Sequence, residues 1–247
     1  MRLPERPLAL IACALLLAGQ VAAGQEDTEL VRERTGTAVI RGTVSVRPPY
    51  ETAGQHARDL MREMYTTQHS PDDTVVAGPV AGDESKRSER AAIYLEGPSI
   101  DRQTYQAPEK HPVLNQRNLE FHPRVLPILV RTTVDFPNRD NLFHNVFSYS
   151  QTKEFDLGRY PKNDSRSVTF DQTGVVRVYC DIHSHMSATI LVLRNPYFTV
   201  PSDNGSYSLQ HIPEGKYTLI LWYDRDIVER RLVELKAGET LEVNFTF

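Results

Sequence analysis

Apolar and polar residues alternate in short segments through most of the chain downstream of Leu114. Pro, Asn, Asp and Gly separate these segments, as is typical of β-strands joined by tight turns. Strands at such regular spacing predict a Greek-key β-sandwich. The strands predicted in this region are 117–122, 125–136, 143–149, 166–170, 174–181 and 187–194.

A second group of predicted strands flanks this region on both sides. Upstream, 37–46 alternates and is rich in Val, Ile and Thr, which favours a strand, and 91–97 is also predicted as a strand. Downstream, the turn signals Asp203-Asn204-Gly205 and Pro213-Glu214-Gly215 separate further alternating segments. The downstream segments predicted as strands are 218–223, 230–235 and 241–247.

The remaining segments carry weaker signals. Apolar residues at helical spacing after Thr52-x-x-Gln55 predict a short amphipathic helix, and 67–90 and 98–113 are predicted as loops. Four residues near this helix offer a second metal site as an alternative, but the Met residues are better interpreted as the buried face of the helix. These four residues are His56, Met61, Met64 and His69.

The N-terminus has the pattern of an export signal. Arg2 and Arg6 precede an apolar run, and Val21-Ala22-Ala23 offers a cleavage site, so 1–23 is predicted to be removed near Ala23. A rival is a lipoprotein cleavage box ending at Cys13. The apolar run is too short to span a bilayer. We therefore expect a periplasmic or secreted protein with no membrane span.

Charge and cysteine content narrow the possible functions. The 247 residues carry a net charge of −4 without a basic run, which argues against nucleic-acid binding. Cys13 and Cys180 are the two cysteines, so removal of the signal leaves Cys180 alone and excludes an intrachain disulfide. A lone thiol in an exported protein is oxidised unless it is buried or bound to metal. A buried structural cysteine is the simpler alternative.

The candidate chemistry lies around this cysteine. Cys180, His183 and Met186 form the pattern C-x2-H-x2-M directly after an apolar predicted strand, and His144 lies on a separate strand upstream. Thiolate and thioether suit Cu(I), whereas imidazole suits either copper oxidation state. The four residues therefore match the donor set of a type 1 copper site. Nearby, we expect His122 to be an ordinary surface residue.

These motifs resemble those of cupredoxins over about residues 114–195. The sequence His144-Asn145-Val146 matches the first-ligand strand of that family, and the loop after Cys180 is similar in length to that of amicyanin. The resemblance implies one copper ion bound by His144, Cys180, His183 and Met186, with Asn145 steadying the ligand loop. It also implies that the ring edge of His183 is the electron exit. The whole chain resembles cupredoxin-domain proteins of the methylamine-utilization or plastocyanin-like type.

His185 lies between two of the implied ligands, where amicyanin-like proteins commonly have an aromatic or apolar residue. It is either a solvated loop histidine or a pH-sensitive neighbour of the electron exit.

The flanking segments resemble the carboxypeptidase regulatory-like, or transthyretin-like, β-sandwich repeat. The turn motifs at 203–209 and 213–219, together with Arg41-Gly42-Thr43-Val44, carry this resemblance. It implies a discontinuous domain formed by 36–97 plus 196–247, with the cupredoxin domain 114–195 inserted. The predicted fold class is all-β, a Greek-key cupredoxin sandwich combined with a smaller transthyretin-like sandwich. Two sheets merged into one elongated body remain the alternative.

The function predicted from these features is one-electron transfer rather than catalysis. Hydrolase motifs are missing from the sequence, and the single H-x-H pair and single mature cysteine disfavour multicopper and binuclear centres. The expected partner is a c-type cytochrome or a dehydrogenase. Copper binding or delivery without electron transfer is the alternative, and a metal-free scaffold of two sandwiches is a third possibility.

Overall fold

The computed structural model describes residues 37–46 and 88–247. The predicted export signal, the amphipathic helix and most of the loop at 67–90 lie outside these described residues. Within the described part of the chain, no helix is long and apolar enough to cross a membrane.

Strands are the main regular structure of the described chain, with almost no helix, which confirms the predicted all-β class. One four-residue helix, α1 (Pro98–Asp101), and a 3-10 turn at Ser88–Arg90 are its helical elements. The strands are β1 (Ala38–Ser45), β2 (Ala91–Glu96), β3 (Asn115–Arg117), β4 (Glu120–His122), β5 (Val125–Leu129), β6 (Thr133–Pro137), β7 (His144–Ser150), β8 (Lys153–Tyr160), β9 (Ser165–Thr169), β10 (Gly174–Tyr179), β11 (Ser187–Leu193), β12 (Phe198–Thr199), β13 (Ser206–Ile212), β14 (Gly215–Tyr223), β15 (Asp226–Leu235), β16 (Thr240–Glu242) and β17 (Phe245–Thr246).

Strands β3 to β11 form the first of two packed bodies. A five-stranded sheet has the order β5-β11-β10-β7-β8, and two strand pairs, β3-β4 and β6-β9, lie beside it. Alternate residues point inward, as the pleat requires, and enclose one apolar core. This core includes Phe121, Phe136, Val146, Phe170 and Ile190. We call this body the first sandwich.

The remaining strands form the second body, which we call the second sandwich. Its sheets have the orders β13-β1-β16, with β17 also paired to β1, and β12-β2-β14-β15. Strand β1 runs antiparallel to β13 but parallel to β16 and β17, so residues near both ends of the described chain share one sheet. Ile40, Leu219 and Phe245 are fully buried in the core of the second sandwich.

The two bodies meet through a third apolar cluster, which we call the seam. Tyr94, Ile220 and Trp222 of the second sandwich pack with Val125 and Leu191 of the first. Because burial of a large apolar side chain contributes about 1.5–3 kcal/mol, the seam holds the bodies together.

The seam also has a polar bridge, formed by the side chain of Arg177 on β10. Its guanidinium carbon lies 5.5 Å from the centroid of the Trp222 ring, within the range of a cation–π contact. The same guanidinium donates to Thr189 Oγ1 over 2.7 Å and to the carbonyl oxygen of Arg225. The bridge therefore joins a strand of the five-stranded sheet to the turn between β14 and β15.

Several predicted strand boundaries are wrong. The segment 117–122 is part of a hairpin, because Asn118 and Leu119 have positive φ and form its turn. The segment 125–136 is divided into β5 and β6 near Arg131, whose φ is 71°. The predicted loop at 98–113 contains α1.

Strand β8 is not among the predicted strands. Among the described strands it pairs with β7 alone, at the edge of its sheet, and its side chains are mostly exposed or only partly buried. An edge strand needs no continuous apolar face, so the apolar pattern is weak there. The division into domains 36–97 plus 196–247 and 114–195, and the transthyretin-like character of the second sandwich, stay predictions.

Candidate metal centre

The candidate ligands lie at one end of the first sandwich. Strand β7 begins at His144, and β10 ends at Tyr179, one residue before Cys180. The chain then turns through His183 to Met186, whose N–H donates to the His183 carbonyl oxygen over 2.9 Å. Two strands of one sheet and the turn after the second therefore bring the four residues together.

Three donor atoms of this group converge. His144 Nδ1 and His183 Nδ1 are 3.0 Å apart. Cys180 Sγ lies 3.9 Å from His144 Nδ1 and 3.8 Å from His183 Nδ1. All three side chains are buried or half-buried.

The size of this triangle fits a transition-metal ion. From its three sides, the point equidistant from the atoms lies about 2.1 Å from each, within the usual range of about 2.0–2.3 Å for metal bonds to imidazole and thiolate. One thiolate and two imidazoles in a trigonal arrangement match the equatorial donor set of a blue-copper site. The residues present therefore fit copper.

Met186 lies in the same part of the core. It is 1% exposed and belongs to the apolar cluster that also contains Cys180, Val178 and Val146. A thioether is a soft donor that favours Cu(I), and apolar neighbours limit the access of water. His144, Cys180, His183 and Met186 thus form one cluster, and their action as ligands stays a prediction.

Asp140 supports His144, although none of the sequence motifs indicates it. Its Oδ2 lies 2.8 Å from His144 Nε2, and the His144 side chain is fully buried. A carboxylate accepts a hydrogen bond from the Nε2–H of a neutral imidazole, which leaves the lone pair of Nδ1 facing the other donors. The spacing of four residues between Asp140 and His144 was the available signal, but this spacing is common in turns and indicates no contact by itself.

Asn145 joins the two segments that carry the candidate ligands, and its role in steadying the ligand loop stays a prediction. Its Nδ2 donates to Asp156 Oδ1 over 2.6 Å, and its Oδ1 accepts the Asp181 N–H over 3.3 Å. Asn145 therefore connects β7 with the turn that follows Cys180.

The thiol of Cys180 is electrostatically prepared for ionisation. Burial raises the pKa of this thiol, but the neighbouring His144 and backbone N–H groups lower it more, so the pKa lies below the ordinary cysteine value. The backbone donors belong to Asn145, Ile182 and His183. A thiolate is the form that binds metal.

The pKa values of His144 and His183 are shifted in opposite directions. Burial lowers the pKa of His144, but its contacts with Cys180 and Asp140 raise it above the ordinary value. Burial and the neighbouring His144 and His185 lower the pKa of His183. His183 is therefore the histidine more readily present as a neutral ligand.

Exposed apolar side chains neighbour the candidate ligands in the chain. Leu142, Phe143 and Ile182 are 50%, 57% and 39% exposed, respectively, and His183 is half-buried. His185 is exposed, and its ring centroid lies 6.3 Å from that of His183. The role of His185 as a pH-sensitive neighbour stays a prediction.

The expectation that His122 is an ordinary surface residue is wrong. It is 8% exposed, and its Nδ1 lies 2.7 Å from Glu89 Oε2. The 3-10 turn that carries Glu89 packs against β5, a contact between distant segments that spacing does not reveal.

Comparison with solved structures finds cupredoxins at low identity and partial coverage. A copper-containing nitrite reductase from Thermus scotoductus SA-01 is 24% identical, with 37% of this chain and 25% of that chain covered and a TM-score of 0.32. A reduced tryptophan-to-tyrosine mutant of amicyanin is 18% identical, with 41% and 98% covered and a TM-score of 0.33. A purple cupredoxin from Nitrosopumilus maritimus is 23% identical, with 33% and 99% covered and a TM-score of 0.31. No family model and no curated protein matches the chain.

Proposed function

We propose that the protein is an exported one-electron carrier that holds one type 1 copper ion. The observation that carries the proposal is the triangle of His144 Nδ1, Cys180 Sγ and His183 Nδ1, whose centre lies about 2.1 Å from all three atoms. Met186 would supply a fourth, weaker thioether donor to the copper ion. When bound, copper supplies a couple between Cu(II) and Cu(I) at this point.

The chain holds these donors in place through its own contacts. His144 is fixed by Asp140, and Cys180 by the backbone N–H groups around it. Donors that are already positioned move little when the charge of the centre changes, which favours fast electron transfer. The buried apolar surroundings of Met186 keep water away from the donors.

The electron leaves through the half-buried ring of His183. Leu142, Phe143 and Ile182 are exposed apolar side chains within two positions of His144 or His183 in the chain, and on this proposal they contribute to a docking area for another protein. We propose a c-type cytochrome or a dehydrogenase as the partner, in the periplasm or outside the cell. On this proposal the protein transfers electrons and is not itself an enzyme.

The visible absorption spectrum tests the proposal. Addition of Cu(II) to the purified protein should produce an intense thiolate-to-copper band that is lost in Cys180→Ser. His111→Ala is a matched control, because His111 lies outside the cluster and contacts Asp135 at 3.0 Å. A colourless wild type would contradict the proposal.

A redox titration separates electron transfer from copper delivery. A carrier keeps its copper through repeated oxidation and reduction in the presence of a chelator, whereas a delivery protein loses it to the chelator. Loss of copper in the Cu(I) state alone would favour delivery.

A further inference from the structure

The β3–β4 hairpin approaches the metal centre through Asp140. The two turn residues, Asn118 and Leu119, have φ values of 56° and 59°, as the two central residues of a type I′ turn require. The N–H of Asn118 donates to Asp140 Oδ1 over 2.7 Å, and that of Leu119 donates to Oδ2 over 2.9 Å. The Asp140 carboxylate therefore accepts a hydrogen bond from each of the two central N–H groups of the turn.

Leu119 makes this turn unusual. A branched residue at positive φ costs about 1–2 kcal/mol and persists where its surroundings fix it. The hydrogen bond from its N–H to Asp140 is one such restraint. The backbone of this hairpin is therefore held in a costly conformation that presents two N–H groups to a single side chain.

The segment that carries Asp140 is also anchored. The Asp140 N–H donates to Asn138 Oδ1 over 2.9 Å, and Asn138 Nδ2 donates to the carbonyl oxygens of Leu142 and Tyr160. The Arg139 N–H donates to the carbonyl oxygen of Gln116 on β3 over 2.8 Å. Asp140 is therefore restrained from both the hairpin and its own loop.

We propose that Asp140, clamped by the β3–β4 turn, is a positioning residue that fixes His144 as the tautomer with its proton on Nε2. This inference deepens the proposed function and rests on it. The carboxylate accepts a hydrogen bond from Nε2–H, so Nδ1 turns a lone pair toward Cys180 and His183. Without this acceptor, a proton on Nδ1 would compete with the metal. Loss of such a support typically weakens metal binding about 10–100-fold.

Nitrogen-15 NMR of the metal-free wild type tests the tautomer first. At a pH where the ring is neutral, His144 should carry its proton on Nε2 and none on Nδ1. A proton on Nδ1 would overturn the inference. This measurement needs no variant and no copper, so it remains informative if the protein binds no metal and the proposed function fails.

The variant Asp140→Asn tests the cause. We expect a mixture of His144 tautomers in the metal-free protein and Cu(II) binding weakened about 10–100-fold. Asp135→Asn is the matched control, because Asp135 also contacts a histidine, His111, but lies away from the cluster. It should leave both readouts unchanged. If Asp140→Asn kept the wild-type tautomer of His144 and an unchanged affinity for Cu(II), the inference would be overturned. The same holds if Asp135→Asn changed the tautomer and the affinity as much as Asp140→Asn does.

Discussion

The two sandwiches differ in how they use their buried polar groups. In the second sandwich, the Tyr207 hydroxyl donates to the carbonyl oxygen of Val243 and that of Tyr217 to the carbonyl oxygen of Pro213, so each hydroxyl closes a backbone contact. In the first sandwich, the Tyr160 hydroxyl does the same for the carbonyl oxygen of Phe136, but His144, Cys180 and His183 also turn their donor atoms toward one another. The buried polar groups named in the second sandwich thus stabilise its backbone, whereas three of those in the first sandwich form a candidate binding site.

The largest expected effect is a loss of stability in the second sandwich that leaves the metal centre of the first unchanged. Phe245 is fully buried in the second sandwich, so Phe245→Ala should lower the free energy of unfolding by about 3–5 kcal/mol. Denaturant unfolding measures this loss, and the visible band of the copper-loaded folded variant should remain. A change in that band would show that the second sandwich shapes the metal centre.

Copper should stabilise the protein through the first sandwich. At free copper about 1,000 times the dissociation constant, binding to the folded state adds about 4 kcal/mol to the free energy of unfolding. Thermal unfolding with and without copper measures this gain in wild type and Cys180→Ser. An equal gain in both would place the binding site elsewhere.

Replacement of Met186, the proposed axial ligand, should have a smaller effect on the metal centre. Met186→Leu should keep copper bound but raise the reduction potential, because removal of the axial donor favours Cu(I). Voltammetry of both proteins measures the difference. An unchanged potential would show that Met186 is not a ligand.

The smallest expected effect concerns the seam at high pH. Burial raises the pKa of Tyr94 to about 12, so the unfolded state ionises first as the pH rises. The stability contributed by the protonated hydroxyl is fully present below about pH 10 and is lost toward about pH 12. In Tyr94→Phe, the free energy of unfolding should therefore fall less steeply with pH over this range than in the wild type. An unchanged slope would contradict the assignment to Tyr94.

Local patterns were enough to predict the strand-rich character and the order of the candidate ligands. Alternation follows from the pleat of a strand, and C-x2-H-x2-M keeps Cys180, His183 and Met186 on one turn. The position of His144 at the start of β7 also agrees with its motif. Each of these features depends on residues close together in the chain.

Folding in three dimensions determined which distant groups meet. The parallel pairing of β1 with β16 and β17 and the contact of His122 with Glu89 both join segments that are far apart in the chain. The edge strand β8 has few apolar residues, so its strand pattern is weak. The clamp on Asp140 is the clearest case. Its two N–H donors come from a turn that precedes it by more than one strand, and backbone groups carry no signature in the side-chain sequence.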